Sequence, residues 1–224
     1  LTAARELGYV ANGIARSLRR KHSMTVGIVH VGFAGNWTHR VNVGMEPVFS
    51  RAGYLPFHLI RGWDPEKERR EIMALLERRV DGIIVLTPIV QGIETYRLIV
   101  ERHVPLLFLS DCLDEVPDIS YVIWDSTLAT RQLVQRLMDA GRRKIAFVGM
   151  DYGTHMTKKR YQAYRQCLRE AGLPAREEWI HWIPFPARAE KRRASARRWV
   201  QATFQENAER PDAIFFLNHT VSEG

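Results

Sequence analysis

The chain has 224 residues, 46% hydrophobic and 26% charged, the balance of a globular protein large enough to bury a core and divide into two lobes. No apolar run approaches the roughly 20 residues of a membrane span, and no charged-then-apolar leader opens the chain, so neither a membrane protein nor a secreted one is expected. The formal net charge of +8 suits polyanionic partners, while Cys112 and Cys167 lie far apart without metal-ligand spacing, which predicts two reduced thiols, no metal and no cofactor.

The chain opens on Leu1, in mid-pattern and without Met, as a piece of a longer protein would. The first distinctive stretch is Asn12-Gly-Ile-Ala-Arg-Ser-Leu-Arg-Arg-Lys21. Asn12 is a good helix cap, Ala15 and Leu18 share one face, and Arg16, Arg19, Arg20 and Lys21 surround them with charge. A helix of one or two turns is unstable alone. It needs a surface to fold against, such as a nucleic-acid groove, or else it is a solvated basic linker.

From Met24 the pattern alternates. Met24–Val31 is a short β-branched strand. Val41, Met45, Val48, Phe49 and Ala52 recur at helical spacing, with Pro47 expected to kink that helix. Tyr54–Ile60 is the second strand, and Pro56 argues for an edge position or a late start. Asp64-Pro65 caps a helix carried by Ile72, Leu75, Leu76 and Val80. Strands follow at Ile83–Leu86, Pro105–Ser110 and Tyr121–Trp124, with a helix near Ile93–Arg102. The next helix should turn Ala129, Leu133 and Leu137 inward and stop at Gly141. Lys144–Gly149, a helix through Tyr161, Tyr164, Leu168 and Ala171, Trp179–Ile183, a helix over Arg188 to about Asn207, and Asp212–Leu217 continue the series. Such alternation predicts an α/β protein of two similar lobes with parallel sheets, changing over near Ala140–Lys144.

In open parallel sheets ligands bind beyond the carboxyl ends of the strands. Those positions include Phe33, Asn36, Trp37, Trp63, Thr87, Asp111, Asp125, Ser126, Asp151, Asn218 and His219. The polar members suit a hydroxylated ligand, and Phe33, Trp37 and Trp63 can stack on one. Asp111 and Asp125 lack the nucleophile–base pair or Gly-rich phosphate loop that would make them catalytic, so no enzyme is expected. The Arg188–Arg198 run reads as the solvated face of a helix that turns Ala196, Trp199, Val200 and Phe204 inward.

Several stretches match one family. Ala3-Ala-Arg-Glu-Leu-Gly-Tyr-Val-Ala-Asn12 and the following Ala15-Arg-Ser-Leu18 resemble the headpiece end and hinge helix of the LacI/GalR family of bacterial transcription regulators. Gly44-Met-Glu46 through Ala52-Gly-Tyr54 is similar to its G-I-E…A-G-Y, Leu76–Ile84 to its L-x-x-x-x-V-D-G-I-I, Gly141–Gly149 to its G-H-R-R-I-A-F-I-G, Arg160–Tyr164 to its R-x-x-G-[YF], and Asp212–Asn218 to its D-A-I-F-x-x-N-D. The resemblance implies two Rossmann-like lobes of the periplasmic-binding-protein type, preceded by a remnant of the helical DNA-binding headpiece and hinge.

It divides the chain into residues 1–22 (end of headpiece and hinge), 23–142 (N-terminal effector-binding lobe) and 143–224 (C-terminal effector-binding lobe, truncated). It also implies that Asn12, Ala15, Arg16, Ser17, Leu18 and Arg19 contact operator DNA, with Leu18 as a minor-groove wedge; opening a base step is offset by the contacts that bent DNA permits. Effector contacts map onto Asn36, Asp125 and Arg160, and less directly onto Asp111, Ser126, Asn218 and His219. The chain departs from the family at His219, where a carboxylate is usual, at Cys112, where Arg is common, and at Trp37, where Pro is usual. The expected whole is a cytoplasmic, homodimeric, ligand-responsive repressor sensing a sugar or sugar acid. A solute-binding protein of the same fold that works without DNA is the alternative.

Overall fold

The computed structural model describes residues 22–32, 36–185, 189–204 and 210–217. They form two compact units, Leu1–Val122 and Ile123–Gly224. The division falls before the helix at 126–139 rather than after it, where the sequence pattern put the changeover. That helix belongs to the second unit because its buried Val134 joins the core of Ile145, Phe147 and Tyr164.

The first unit is a five-stranded parallel sheet in the order β2-β1-β3-β4-β5. Its elements are β1 (Thr25–His30), α1 (Asn36–Ala52), β2 (Leu55–Ile60), α2 (Pro65–Glu77), β3 (Gly82–Leu86), α3 (Ile93–Glu101), β4 (Leu106–Leu109) and β5 (Ser120–Val122). The expected edge position of the strand with Pro56 is found: β2 pairs with β1 alone, so the missing N–H costs no second ladder bond. Helix α2 starts as expected, with Asp64 accepting from the N–H groups of Glu66 (2.9 Å) and Lys67 (3.0 Å). Its Ile72, Leu75 and Leu76, with Val80 after it, are buried against β3, α3 and β4 residues. Gly27 permits this packing, because a Cβ on β1 would collide with the Leu75 side chain.

Two helices face otherwise than expected. Helix α1 runs through Pro47, and Val48 and Ala52 are exposed rather than inward. Helix α4 (Ser126–Asp139) buries Ser126, Thr130 and Val134, whereas Leu133 is exposed and Ala129 and Leu137 are half-buried. The inward polar pair is tolerated because the Thr130 hydroxyl donates to the Ser126 carbonyl, 2.8 Å away.

The second unit has a three-stranded parallel sheet, β7-β6-β8, formed by β6 (Ile145–Met150), β7 (Ile180–Ile183) and β8 (Ala213–Phe216). All six residues of the central β6 are buried. One hydrophobic cluster joins Val134 of α4 and Tyr164, Cys167 and Leu168 of α5 (His155–Glu170) to Phe147 and Phe215. Tyr164, expected in the core, is buried and donates to the Ile145 carbonyl at 2.7 Å. A second cluster packs Ala196 and Trp199 of α6 (Ala189–Thr203) against Val148, Met150 and Ile183. Val200 is exposed rather than inward as expected, because the packed face runs through Ala196 and Trp199; Lys191, Arg193, Arg197 and Arg198 are exposed, as a solvated basic face requires. Cys112 and Cys167 are both buried.

Candidate functional site

Parallel strands deliver their carboxyl ends to one side of a sheet, and in the first unit that side carries a buried polar layer. His30 ends β1, Arg61 follows β2, Thr87 follows β3, and Ser110 and Asp111 follow β4. His30, Arg61, Ser110 and Asp111 are all buried. The layer is organised around Arg61. Its Nε lies 2.5 Å from Glu68 Oε2, its Nη1 donates to the Gly62 carbonyl at 2.8 Å and its Nη2 to the Thr87 carbonyl at 2.5 Å. Glu68, in the first turn of α2, also accepts from the Tyr96 hydroxyl, which in turn accepts from Ile89 N–H at 3.2 Å. Burial pushes the Glu68 carboxyl up, with Arg61 and Tyr96 opposing that; burial and the Glu68 charge push the Tyr96 hydroxyl well up. The guanidinium also lies 5.6 Å from the Trp63 ring centroid.

This network holds a strained backbone. Thr87 and Ser110 adopt φ of 60° and 80°, a region that β-branched residues in particular avoid. Their hydroxyls meet at 3.1 Å, Thr87 N–H donates to the Leu109 carbonyl and Ser110 N–H to the Val122 carbonyl, each at 2.9 Å. Backbone strain of this kind persists where the surroundings over-determine it, commonly at ligand sites. Asp111 follows directly, its carboxylate accepting from Cys112 N–H at 3.0 Å.

In the second unit, Asp125 caps α4 by accepting from Leu128 N–H at 2.7 Å, and Ser126 is buried beside it. Arg160, on α5, donates through Nη1 to the Leu217 carbonyl just past β8, at 2.9 Å. Its Nε is buried without a hydrogen-bond partner among the described residues, and burial lowers its pKa.

Of the sequence-predicted contacts, Asp111 therefore joins the buried layer of the first unit, and Asp125, Ser126 and Arg160 stand in the second. Trp37 is half-buried in the first turn of α1. Asn36 begins α1, with its side chain outside the described residues, as are Phe33, Asn218, His219 and the DNA-contact series Asn12, Ala15, Arg16, Ser17, Leu18 and Arg19. The sequence reading missed the Arg61–Glu68–Tyr96 network. Its signal was an Arg closing the apolar run His58-Leu-Ile60, with a Glu in the first turn of the next helix.

A second polar pair is packing rather than chemistry. Ser195 Oγ lies 3.2 Å from His181 Nε2, but Trp199 stacks on the ring at 5.3 Å and the charge beside it is Arg198, the wrong sign to orient a base. Burial lowers the pKa of His181, with Arg198 adding to it, and burial likewise lowers His30 and His58 from the ordinary 6.5. For a lowered folded value the stability is complete above pH 6.5 and is lost as pH falls through the folded values. Denaturant midpoints are therefore expected to fall between pH 7.5 and 5, and His181→Gln to flatten that slope; an unaltered slope would remove His181 from the account.

Two parallel sheets with polar groups at their carboxyl ends narrow the families that fit. The family described as periplasmic binding proteins and sugar binding domain of LacI family matches residues 25–224. The chain belongs to that family. Among curated LacI-type relatives, the HTH-type transcriptional repressor PurR of Vibrio vulnificus (strain CMCP6) is 28% identical over 231 residues, covering 100% of this chain and 65% of its own. The transcription regulator CcpA of Lactococcus lactis shares the fold with a TM-score of 0.73 at 18% identity, over 88% of this chain and 69% of its own. A LacI family transcriptional regulator from Lactobacillus casei, crystallised with bound glucose, has a TM-score of 0.70 at 21% identity, over 88% and 71%. The chain spans between about half and two-thirds of the length of the curated relatives it matches.

Proposed function

We propose that the complete protein is a cytoplasmic, ligand-responsive transcription repressor, and that the units described here bind its effector. The observation that carries this is the family match over 25–224 together with the buried polar layer at the carboxyl ends. In this reading Asp111 of the first unit and Asp125, Ser126 and Arg160 of the second contact a hydroxylated ligand, together with Phe33, Asn36, Trp37, Asn218 and His219. The glucose held by the Lactobacillus casei relative supports a sugar or sugar acid. The residues from Asn12 to Arg19, with Leu18 as wedge, then contact the operator. The regulatory character of the relatives supports a binding protein rather than an enzyme.

A homodimer fits the exposed surface. Helix α1 and the edge strand β2 leave Val43, Val48, Leu55 and Phe57 exposed, and an apolar strand edge is a surface that proteins cover. Among the described residues no helix is long and apolar enough to cross a membrane.

The test uses the complete reading frame, selecting duplexes from a random-sequence pool and titrating the enriched one at several salt concentrations with candidate sugars present. Tight, sequence-dependent binding with a steep salt slope, altered by one sugar and weakened about tenfold or more by Leu18→Ala, is expected. Weak binding indifferent to sequence would reject the repressor and leave a ligand-binding protein.

A further inference from the structure

Among the described residues, the approach to β1 is fastened by a carboxylate at the start of β3. The carboxylate of Asp81 accepts from Ser23 N–H (2.7 Å), Ser23 Oγ (2.9 Å) and Met24 N–H (3.0 Å), and His22 Nδ1 lies 3.7 Å from it. The Asp81 side chain is 11% exposed. Its own N–H donates to the Thr25 carbonyl at 2.9 Å, and Met24 in turn offers its carbonyl to Leu55 N–H at 2.9 Å. One carboxylate thus ties the approach to β1 to the start of β3. The tie holds a strained residue, since Met24 sits at φ 55°. Burial pushes the Asp81 carboxyl up, but the donors from Ser23 and Met24 and the nearby His22 outweigh it and hold it below the usual range.

Residues 22–24 directly follow the basic stretch 12–21, and they lie at the amino end of the sheet, away from Thr87 and Asp111 at the carboxyl end. We infer that Asp81 is a positioning residue for DNA binding, fixing the path of residues 22–24, which directly follow the segment from Asn12 to Lys21. The inference rests on reading that segment as the DNA contact.

Its consequence follows from where the ordering cost falls. With the tie intact, residues 22–24 are ordered when the unit folds. Without it, the first firm hold on the chain is the β1 ladder, and the freed residues must be ordered when DNA binds. That cost weighs on sequence-specific binding, which needs the segment in one place. It does not weigh on non-specific binding, which is governed by phosphate charge.

The experiment compares Asp81→Asn, Asp81→Ala and Ser23→Ala in the full-length protein, using a duplex enriched by the unaltered protein and a scrambled duplex of equal length. Both Asp81 variants are expected to lose about tenfold in affinity for the enriched duplex, with the scrambled duplex and effector affinity unchanged. Ser23→Ala removes the hydroxyl that donates to Asp81, meets Thr25 Oγ1 at 2.6 Å and accepts from Thr25 N–H at 3.2 Å, but keeps both backbone donors to the carboxylate, and should lose less in the same direction; it keeps the test in force if the Asp81 variants do not fold. Unchanged affinity for the enriched duplex overturns the inference. So does an equal loss on both duplexes, which would make Asp81 structural only. If the unaltered protein enriches no duplex, the DNA reading itself fails and this inference falls with it.

Discussion

Arg61→Met should lower the stability of the first unit by about 3–5 kcal/mol, the range for breaking a buried ion pair from one side. The magnitude follows from what is stranded. Glu68 is fully buried, and without the guanidinium its charge has only the Tyr96 hydroxyl as a described partner. Thr87 and Gly62 each lose a donor to a carbonyl. The attraction within the pair does not set the size of this loss, because desolvation offsets much of it. The double variant Arg61→Met/Glu68→Leu is therefore expected to recover much of the loss, since it removes the stranded charge as well. Urea unfolding at constant slope reads both. A single-variant loss below about 1 kcal/mol would mean that water or movement satisfies Glu68, and the network would then not be what holds the strand ends. Ligand affinity of the folded double variant supplies a second reading. Thr87 would have lost one of the contacts that hold it at positive φ, so weaker binding at recovered stability would assign the strain to ligand recognition.

Periodicity served best where one face of an element is buried by its own unit. Helix α2 was legible from Asp64-Pro65 to Val80 because its apolar stripe has one destination, the buried cluster around Val85 and Phe108. Helices α1 and α4 were misread because an apolar residue need not point into its own unit. Val43, Val48, Leu128 and Leu133 are all exposed, while Ser126 and Thr130 turn inward, the Thr130 hydroxyl bonded to the Ser126 carbonyl. The unit boundary was misplaced for the same reason: α4 follows β5 in sequence, but the place of its buried face in the second core is a fact of packing.

The candidate site divides similarly. Strand ends are visible in an alternating pattern, so Thr87, Asp111, Asp125 and Ser126 could be named from their places alone. The charge network could not. Arg61 and Glu68 carried only local signals, one closing an edge strand and the other opening a helix. Only the parallel pairing of β2 with β1 and of β1 with β3 brings the Arg61 guanidinium to the Thr87 carbonyl.

Arg160→Met should weaken effector binding by about 10–100-fold, the equivalent of losing a hydrogen bond from a charged group, about 1.5–3 kcal/mol, while leaving the fold close to its original stability. The two halves of that expectation have different causes. Burial disfavours the charged form of Arg160, as its lowered pKa indicates. A methionine of similar length would remove that desolvation cost and give up one bond, to the Leu217 carbonyl. These effects oppose one another, so the net change in unfolding free energy should be small. A ligand, in contrast, loses a donor that the described residues leave unused at Nε. Arg160→Lys keeps the charge without the planar fork and should fall between the two, because an ammonium does not reproduce bidentate geometry. Calorimetric titration of the identified sugar against the complete protein, paired with thermal unfolding of each variant, separates the outcomes. Lost affinity at preserved stability assigns Arg160 to the ligand. Lost stability at preserved affinity would make it a brace for the end of β8, and the effector would have to be recognised without it.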